Sequence, residues 1–222
     1  MEISMFKRLP LLLAALVLST ACSAKPAEGA APSFTDGAEY ASITEPKRLD
    51  PGKGKVEVVE VFSFGCIHCA HYEPKVEDLQ KKLPKDVAFH RMPAAFNDAW
   101  LPFAQAYYAA AKLVPAGKLD ESTDKLFKAK WDLHMPLNAL EEMADWYKQN
   151  YGIDSAKFVE VAQGDDVKAQ IARDTKLIQA WGVEGTPTVV VDGKYRSNNI
   201  KDFDQLNDVV MFLVNKERNG GR

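Results

Sequence analysis

The chain has 222 residues, 46% of them hydrophobic and 10% aromatic, enough to bury a core in one domain, or in one domain with a large insertion, without disulfide staples. Its 28 basic and 31 acidic residues are spread along the whole length and leave a formal net charge of -3. No polybasic stripe marks it as a binder of nucleic acid or of an anionic membrane surface.

The first two dozen residues differ from the rest. Lys7 and Arg8 precede an apolar run from Leu9 to Leu18, followed by the small residues Ser19, Thr20 and Ala21. That order is an export signal, and the run is shorter than the roughly 18 residues a spanning helix needs. Residues 1–24 therefore read as a signal peptide, with a start at Met1 or at Met5, which would omit Glu2. Cys22, in "LSTAC", leaves two outcomes open: a lipoprotein signal over 1–21 with Cys22 lipidated, or cleavage after Ala24 that removes it. Ser19 stands where the lipoprotein pattern usually has leucine, and a bare exported thiol would be a liability. Residues 25–39, rich in Ala, Pro and Gly, read as a flexible leader, with structure expected from Tyr40.

"VEVVEVFSF", Val56 to Phe64, is a strand covered on both faces. The pattern then becomes helical from Ile67 to Leu83, with Tyr72, Val76, Leu79 and Leu83 on one side, and "DVAFHRM" is a second strand over 86–92. From about Asn97 to Thr175 strand signals vanish and helical patterns follow one another. Asn138 with Glu141, and Asp154 with Lys157, are expected caps, and Gly152 and Gly164 expected stops. Val167, Ile171, Ile178 and Trp181 recur at helical spacing and mark a buried face. Strand character returns over 187–196, where Asp192-Gly193 signals a two-residue hairpin. A closing helix over 202–217 turns Phe203, Leu206, Val210 and Leu213 inward. The β elements thus bracket a helical block: one α/β domain, 40–97 and 176–222, interrupted by an all-helical insertion, 98–175.

The chemistry concentrates in "FSFGCIHCAHYEP". Cys66 and Cys69 are the whole cysteine inventory beyond Cys22. Covalent haem attachment wants His directly after the second cysteine, and Ala70 stands there. A metal could recruit Cys66, Cys69, His68 and His71, but no second cysteine pair exists to close a structural zinc site; a metal-binding lipoprotein stays open as a rival. A purely structural disulfide would close almost no loop. Redox chemistry fits better. Cys66 sits where a strand ends and a helix begins, where unpaired N–H groups and the helix dipole favour a thiolate. A protonated His68 would add a second stabilising charge. Cys66 is expected to be the exposed nucleophile and Cys69 the buried resolving thiol, with no cofactor beyond their own disulfide and no metal.

"EVFSFGCIHC" and "GVEGTPTVVVDGKY", in this order around a helical insertion, resemble the DsbA family of exported thiol:disulfide oxidoreductases, built on the thioredoxin fold. The resemblance covers the chain from Tyr40 to the last helix. It implies a cis Thr186-Pro187 bond beside the sulfurs, offering the Thr186 backbone as an edge for a substrate peptide. It implies that Glu60 is a buried carboxylate exchanging a proton with Cys69, that Arg91 is its basic partner, and that Pro74 is the proline inside the active-site helix. It also implies a monomeric dithiol oxidase in the periplasm of a Gram-negative bacterium, or anchored to a membrane through Cys22. Its substrates would be unfolded exported proteins, held in an apolar groove near Pro187 and the helical insertion, and its reoxidation would pass through a quinone-linked membrane partner of the DsbB type. The rival within this chemistry is a reductase or isomerase. Two departures bear on oxidising strength: Ile67 replaces the family's more familiar proline between the cysteines, and Thr186 replaces the valine of its best-known members.

Overall fold

A computed structural model describes residues 33–51 and 56–220. The signal region, Cys22 and the first part of the leader lie outside the described residues. The elements, in chain order, are β1 (Tyr40–Ser42), β2 (Val56–Phe62), α1 (Ile67–Lys82), β3 (Val87–Pro93), α2 (Leu101–Leu113) and α3 (Leu119–Phe127). A π-helical turn (Lys128–Asp132), α4 (Leu140–Tyr151), α5 (Ser155–Ala162), α6 (Asp165–Ala180), β4 (Thr188–Val191), β5 (Tyr195–Ser197) and α7 (Phe203–Gly220) follow.

The strands form one sheet in the order β1-β5-β4-β2-β3. β2 runs parallel to β3, with Glu60 opposite Arg91, and antiparallel to β4. Six of the seven β2 residues are buried, as its unbroken apolar run predicts for a central strand. On one face Val58 and Val189 pack with Tyr72, Val76 and Leu79 of α1 and Leu206, Val210 and Leu213 of α7. On the other, Val59, Val61 and Val190 meet Ile178 of α6 and Trp181, which caps its C-terminus. The first half of α6 instead packs Val167 and Ile171 on Ala104 of α2. This single helix, continuous through position 175, joins the helical insertion to the sheet. A third core lies between Phe62 and Phe64 and the helical block, through Phe103, Tyr107, Phe127 and Tyr147, and it includes both Cys66 and Cys69. The cysteine pair sits at the seam between the two halves of the fold.

The hairpin is closed by Asp192 (φ 53°) and Gly193 (φ 62°), the left-handed pair that a two-residue turn requires. A Cβ on Gly193 would lie 2.1 Å from the Lys47 carbonyl oxygen, so only glycine fits.

Several expectations are corrected. Residues 33–39 are not loose: Phe34 packs edge-on against Phe212 at 5.6 Å, and Asp36 accepts from the Ser42 N–H at 2.9 Å. That docking aligns β1, a strand too short to show a pattern of its own, along β5. The α4 cap is shifted by one residue: Glu142, not Glu141, accepts from the N–H groups of Asn138 and Ala139, both at 2.7 Å. The expected cap at Asp154 forms, its carboxylate accepting from Lys157 N–H at 2.9 Å. Gly164 both follows α5 and caps α6. The helical run from Asp120 to Leu133 changes pitch at Lys128 into the π turn.

Candidate active site

β2 ends at Phe62, and a turn closed by Cys66 N–H donating to the Ser63 carbonyl at 3.0 Å leads into α1. Cys66 is the N-cap of α1, in extended conformation (φ −102°, ψ 113°). Its sulfur accepts from the Cys69 N–H at 3.4 Å and donates to the Thr186 carbonyl at 3.3 Å. Both cysteines are free thiols in this structure. Thr186-Pro187 is cis, and the two landmarks, 120 residues apart from Cys66 to Thr186, touch through the Cys66 sulfur.

The two thiols are held oppositely. The side chain of Cys69, hydrogen-bonded to the Cys66 sulfur, pushes the Cys66 thiol down from 9.0 to about 5; burial opposes it, and the Thr186 side chain and then the N–H groups of Cys69 and His68 reinforce it. Those N–H groups are what a helix N-terminus offers. Burial, then the interaction with Cys66, holds the Cys69 thiol well above 9.0. The Thr186 hydroxyl is buried without a hydrogen-bond partner and favours the thiolate at both sulfurs. It is the donor at hand when either thiolate forms.

Three details differ from expectation. Cys66 is only 8% exposed rather than open, because the Thr186 loop and the aromatic seam cover it. His68 is exposed, and it is its backbone N–H that favours the Cys66 thiolate. The cleft beside Pro187, about 340 Å³, is lined mainly by Glu184, Thr188, Arg196, Ser197, Asn198 and Asn199. It is polar and includes no residue of the helical insertion, so it is not the expected groove. Exposed apolar surface is found instead at Ile67, next to the nucleophile, and at Leu133, just past the π turn. His71 is exposed, and among the described residues no three His, Cys, Asp or Glu side chains converge as a metal site would need.

Beneath α1, Glu60 is buried and lies 3.2 Å from Arg91, which donates to Glu73 at 2.6 Å. One guanidinium thus serves two buried carboxylates. Burial pushes Glu60 up to about 8 against the pull of Arg91, and the Glu60 charge in turn raises Cys69. Burial likewise raises Glu73. For Arg91 burial acts against the charge, and the two carboxylates outweigh it. Glu73 was missed by sequence reasoning. Its signal was there: Cys69, Glu73 and Val76 recur at helical spacing on the buried side of α1. Pro74 lies inside α1 as expected.

Two aromatic residues of the helical block complete the site, and nothing local in the sequence announces them. Trp131, in the π turn, donates its indole N–H to the Phe64 carbonyl at 3.0 Å. Phe103 of α2 lies against Gly65, where an added Cβ would be 2.5 Å from its Cε2. Gly65→Ala must displace that ring, and the overpacking is expected to cost about 1–3 kcal/mol. Denaturant titration of both redox forms checks it; an unchanged midpoint would mean that Phe103 moves aside freely.

A thioredoxin family model matches residues 52–210. The chain is 32% identical over 215 residues to the thiol:disulfide interchange protein DsbA of Burkholderia cepacia, covering 93% of this chain and 98% of that protein. With DsbA of Pseudomonas aeruginosa the identity is 34% over 190 residues, covering 85% and 88%. The chain belongs to the DsbA family of thiol:disulfide interchange proteins. Among solved structures, Pseudomonas aeruginosa DsbA superposes with a TM-score of 0.75 at 33% identity, over 85% of this chain and 96% of that one. Xylella fastidiosa DsbA does so at 0.76 and 32%, over 85% and 99%. The architecture is accordingly the DsbA one, a thioredoxin fold with a helical insertion, and the protein is a protein thiol:disulfide oxidoreductase.

Proposed function

We propose that this DsbA family member is a periplasmic dithiol oxidase whose redox group is the Cys66–Cys69 disulfide. The observation that carries the direction is the opposite displacement of the two thiols, Cys66 down to about 5 and Cys69 well up. A stabilised thiolate favours the reduced pair and so makes its disulfide a ready acceptor of electrons.

A substrate thiolate attacks Sγ of Cys66; the S–S bond breaks, a mixed disulfide forms, and Cys69 leaves as a thiolate that takes up a proton. A second substrate thiolate then attacks the substrate sulfur of the mixed disulfide, expelling Cys66 as its stabilised thiolate. Two electrons end on the pair and the substrate leaves with a disulfide. Glu60, with its pKa raised to about 8, is the group suited to hand a proton to Cys69 and to take it back on reoxidation. Arg91 holds Glu60, and the Thr186 backbone is the edge for the substrate chain. Substrates are exported proteins still unfolded, and a quinone-linked membrane partner of the DsbB type restores the disulfide. The signal over residues 1–24 delivers the protein as a monomer, with Cys22 either lipidated or removed.

Acid trapping followed by alkylation in the native compartment tests the direction: the pair is expected mostly oxidised, and a mostly reduced pair would overturn the oxidase in favour of a reductase. Thr186→Val, which deletes the hydroxyl beside the sulfurs, is expected to raise the Cys66 pKa by about half a unit to one unit. The ultraviolet absorbance of the thiolate, followed against pH, reads this directly.

A further inference from the structure

The turn that carries Cys66 is held from outside its own strand and helix. Its middle peptide, between Phe64 and Gly65, is tied at both polar ends: the Gly65 N–H donates to the Ser63 hydroxyl at 3.1 Å, and the Phe64 carbonyl accepts from the Trp131 indole at 3.0 Å. With glycine at the third position of a four-residue turn, that peptide can rotate over, because glycine takes positive φ as readily as negative. Gly65 is not among the positive-φ glycines, so one of the two orientations is selected.

The selecting group is itself well held. Trp131 lies in the π turn, a local change of pitch that re-aims the side chains it carries. Beside it the Lys130 ammonium sits 5.0 Å from the centre of the Phe103 ring and 5.3 Å from that of Trp131. It donates to the Leu137 carbonyl at 3.0 Å and to Asn138 Oδ1 at 2.6 Å. The π turn is thereby fastened to the approach to α4, and Phe103, under the same ammonium, presses on Gly65.

We propose that Trp131 is a positioning residue for the nucleophile: its indole N–H locks the Phe64–Gly65 peptide and so keeps Cys66 at the cap geometry in which the Cys69 N–H reaches its sulfur. This rests on the oxidoreductase reading and adds to it a route by which the helical insertion tunes the thiolate. Released from Trp131, the peptide rotates between two orientations, the position of Cys66 broadens, and a sulfur contact already at 3.4 Å weakens.

The test replaces Trp131 with 3-benzothienylalanine, which keeps the ring shape and puts sulfur in place of the indole N–H, alongside Trp131→Phe. The isostere is expected to melt as cooperatively as the parent. Its Cys66 alkylation rate near pH 5 falls by about 2- to 10-fold, the factor one neutral hydrogen bond represents. Its equilibrium with glutathione shifts by a similar factor toward the disulfide. An unchanged thiolate titration and an unchanged glutathione equilibrium in the isostere overturn the proposal. So does a loss of stability without either change, which would leave Trp131 a purely structural role. If the parent protein itself fails to equilibrate with glutathione, the oxidoreductase reading fails instead.

Discussion

Replacing Cys66 with serine is expected to lower thiol:disulfide exchange at least about a thousandfold, whereas Cys69→Ser leaves a protein that accumulates mixed disulfides. The asymmetry follows from the environments of the two sulfurs. Cys66 has the capping N–H of Cys69 on its sulfur and a pKa near 5, so it is a thiolate under working conditions and a good leaving group from a mixed disulfide. Cys69 is fully buried, with its thiol held protonated by burial, and no substrate sulfur can reach it without displacing Cys66. With Cys69 gone, a mixed disulfide at Cys66 has no internal thiol to resolve it. Non-reducing electrophoresis of each variant with an unfolded substrate protein whose cysteines carry glutathione disulfides checks this, since attack by the variant's thiolate then forms the mixed disulfide and glutathione leaves. Adducts formed equally by both single variants would sink the assignment of roles.

The reduced protein is expected to gain stability relative to its oxidised form as pH rises from about 4 to 7. The folded-state pKa of Cys66 is depressed, about 5 against an ordinary 9.0. Below pH 5 Cys66 is a thiol folded or unfolded and contributes nothing. As pH climbs past 5 only the folded chain has released the proton, so the unfolded chain binds more protons and stability rises. The gain is complete only above the unfolded value and is lost as pH falls back through about 5. Near pH 7 it amounts to about 2–3 kcal/mol, or several degrees of melting temperature. The oxidised form has no such titration, so the difference between the two melting curves isolates Cys66 from every other group. A difference that stays flat from pH 4 to 7 would mean that Cys66 is not a stabilised thiolate. By the same linkage, Glu60, raised to about 8 by burial, contributes a loss of stability as pH rises above its ordinary range. It does so in both redox forms, so it largely cancels from the difference.

Much of the site was legible in the residues themselves. The Cys66 and Cys69 spacing, the strand-to-helix change of period around Gly65, and "GTPTVVVDG" each encode local geometry in neighbouring side chains. Local geometry is what hydrophobic period, turn chemistry and capping report. The pairing of Glu60 with Arg91 came from the family resemblance; the strand pattern alone also allows Glu60 as an outward charge, and the register of β2 on β3 is what sets it opposite Arg91. Where expectation missed by a residue, as with Glu142 in place of Glu141, either register satisfied the local rule, and packing of Leu140 and Met143 into the helical core chose between them. The same holds for β1, which three residues could not announce and which the docking of Phe34 and Asp36 made possible.

What the sequence by itself determined is the class of protein and its reagents: an exported α/β chain with a helical insertion, one redox-active cysteine pair at a helix N-terminus, and a threonine-proline loop to face it. How those reagents are tuned was settled by the packing of distant segments. Burial of Cys66 under the Thr186 loop, the sharing of Arg91 between Glu60 and Glu73, the polar lining beside Pro187 and the hold of Trp131 on Phe64 all depend on contacts between segments far apart in the chain. A thiol's pKa is set by the few groups within hydrogen-bond reach and by the water they exclude. Those groups become neighbours only when the sheet, the active-site helix and the helical insertion close on one another.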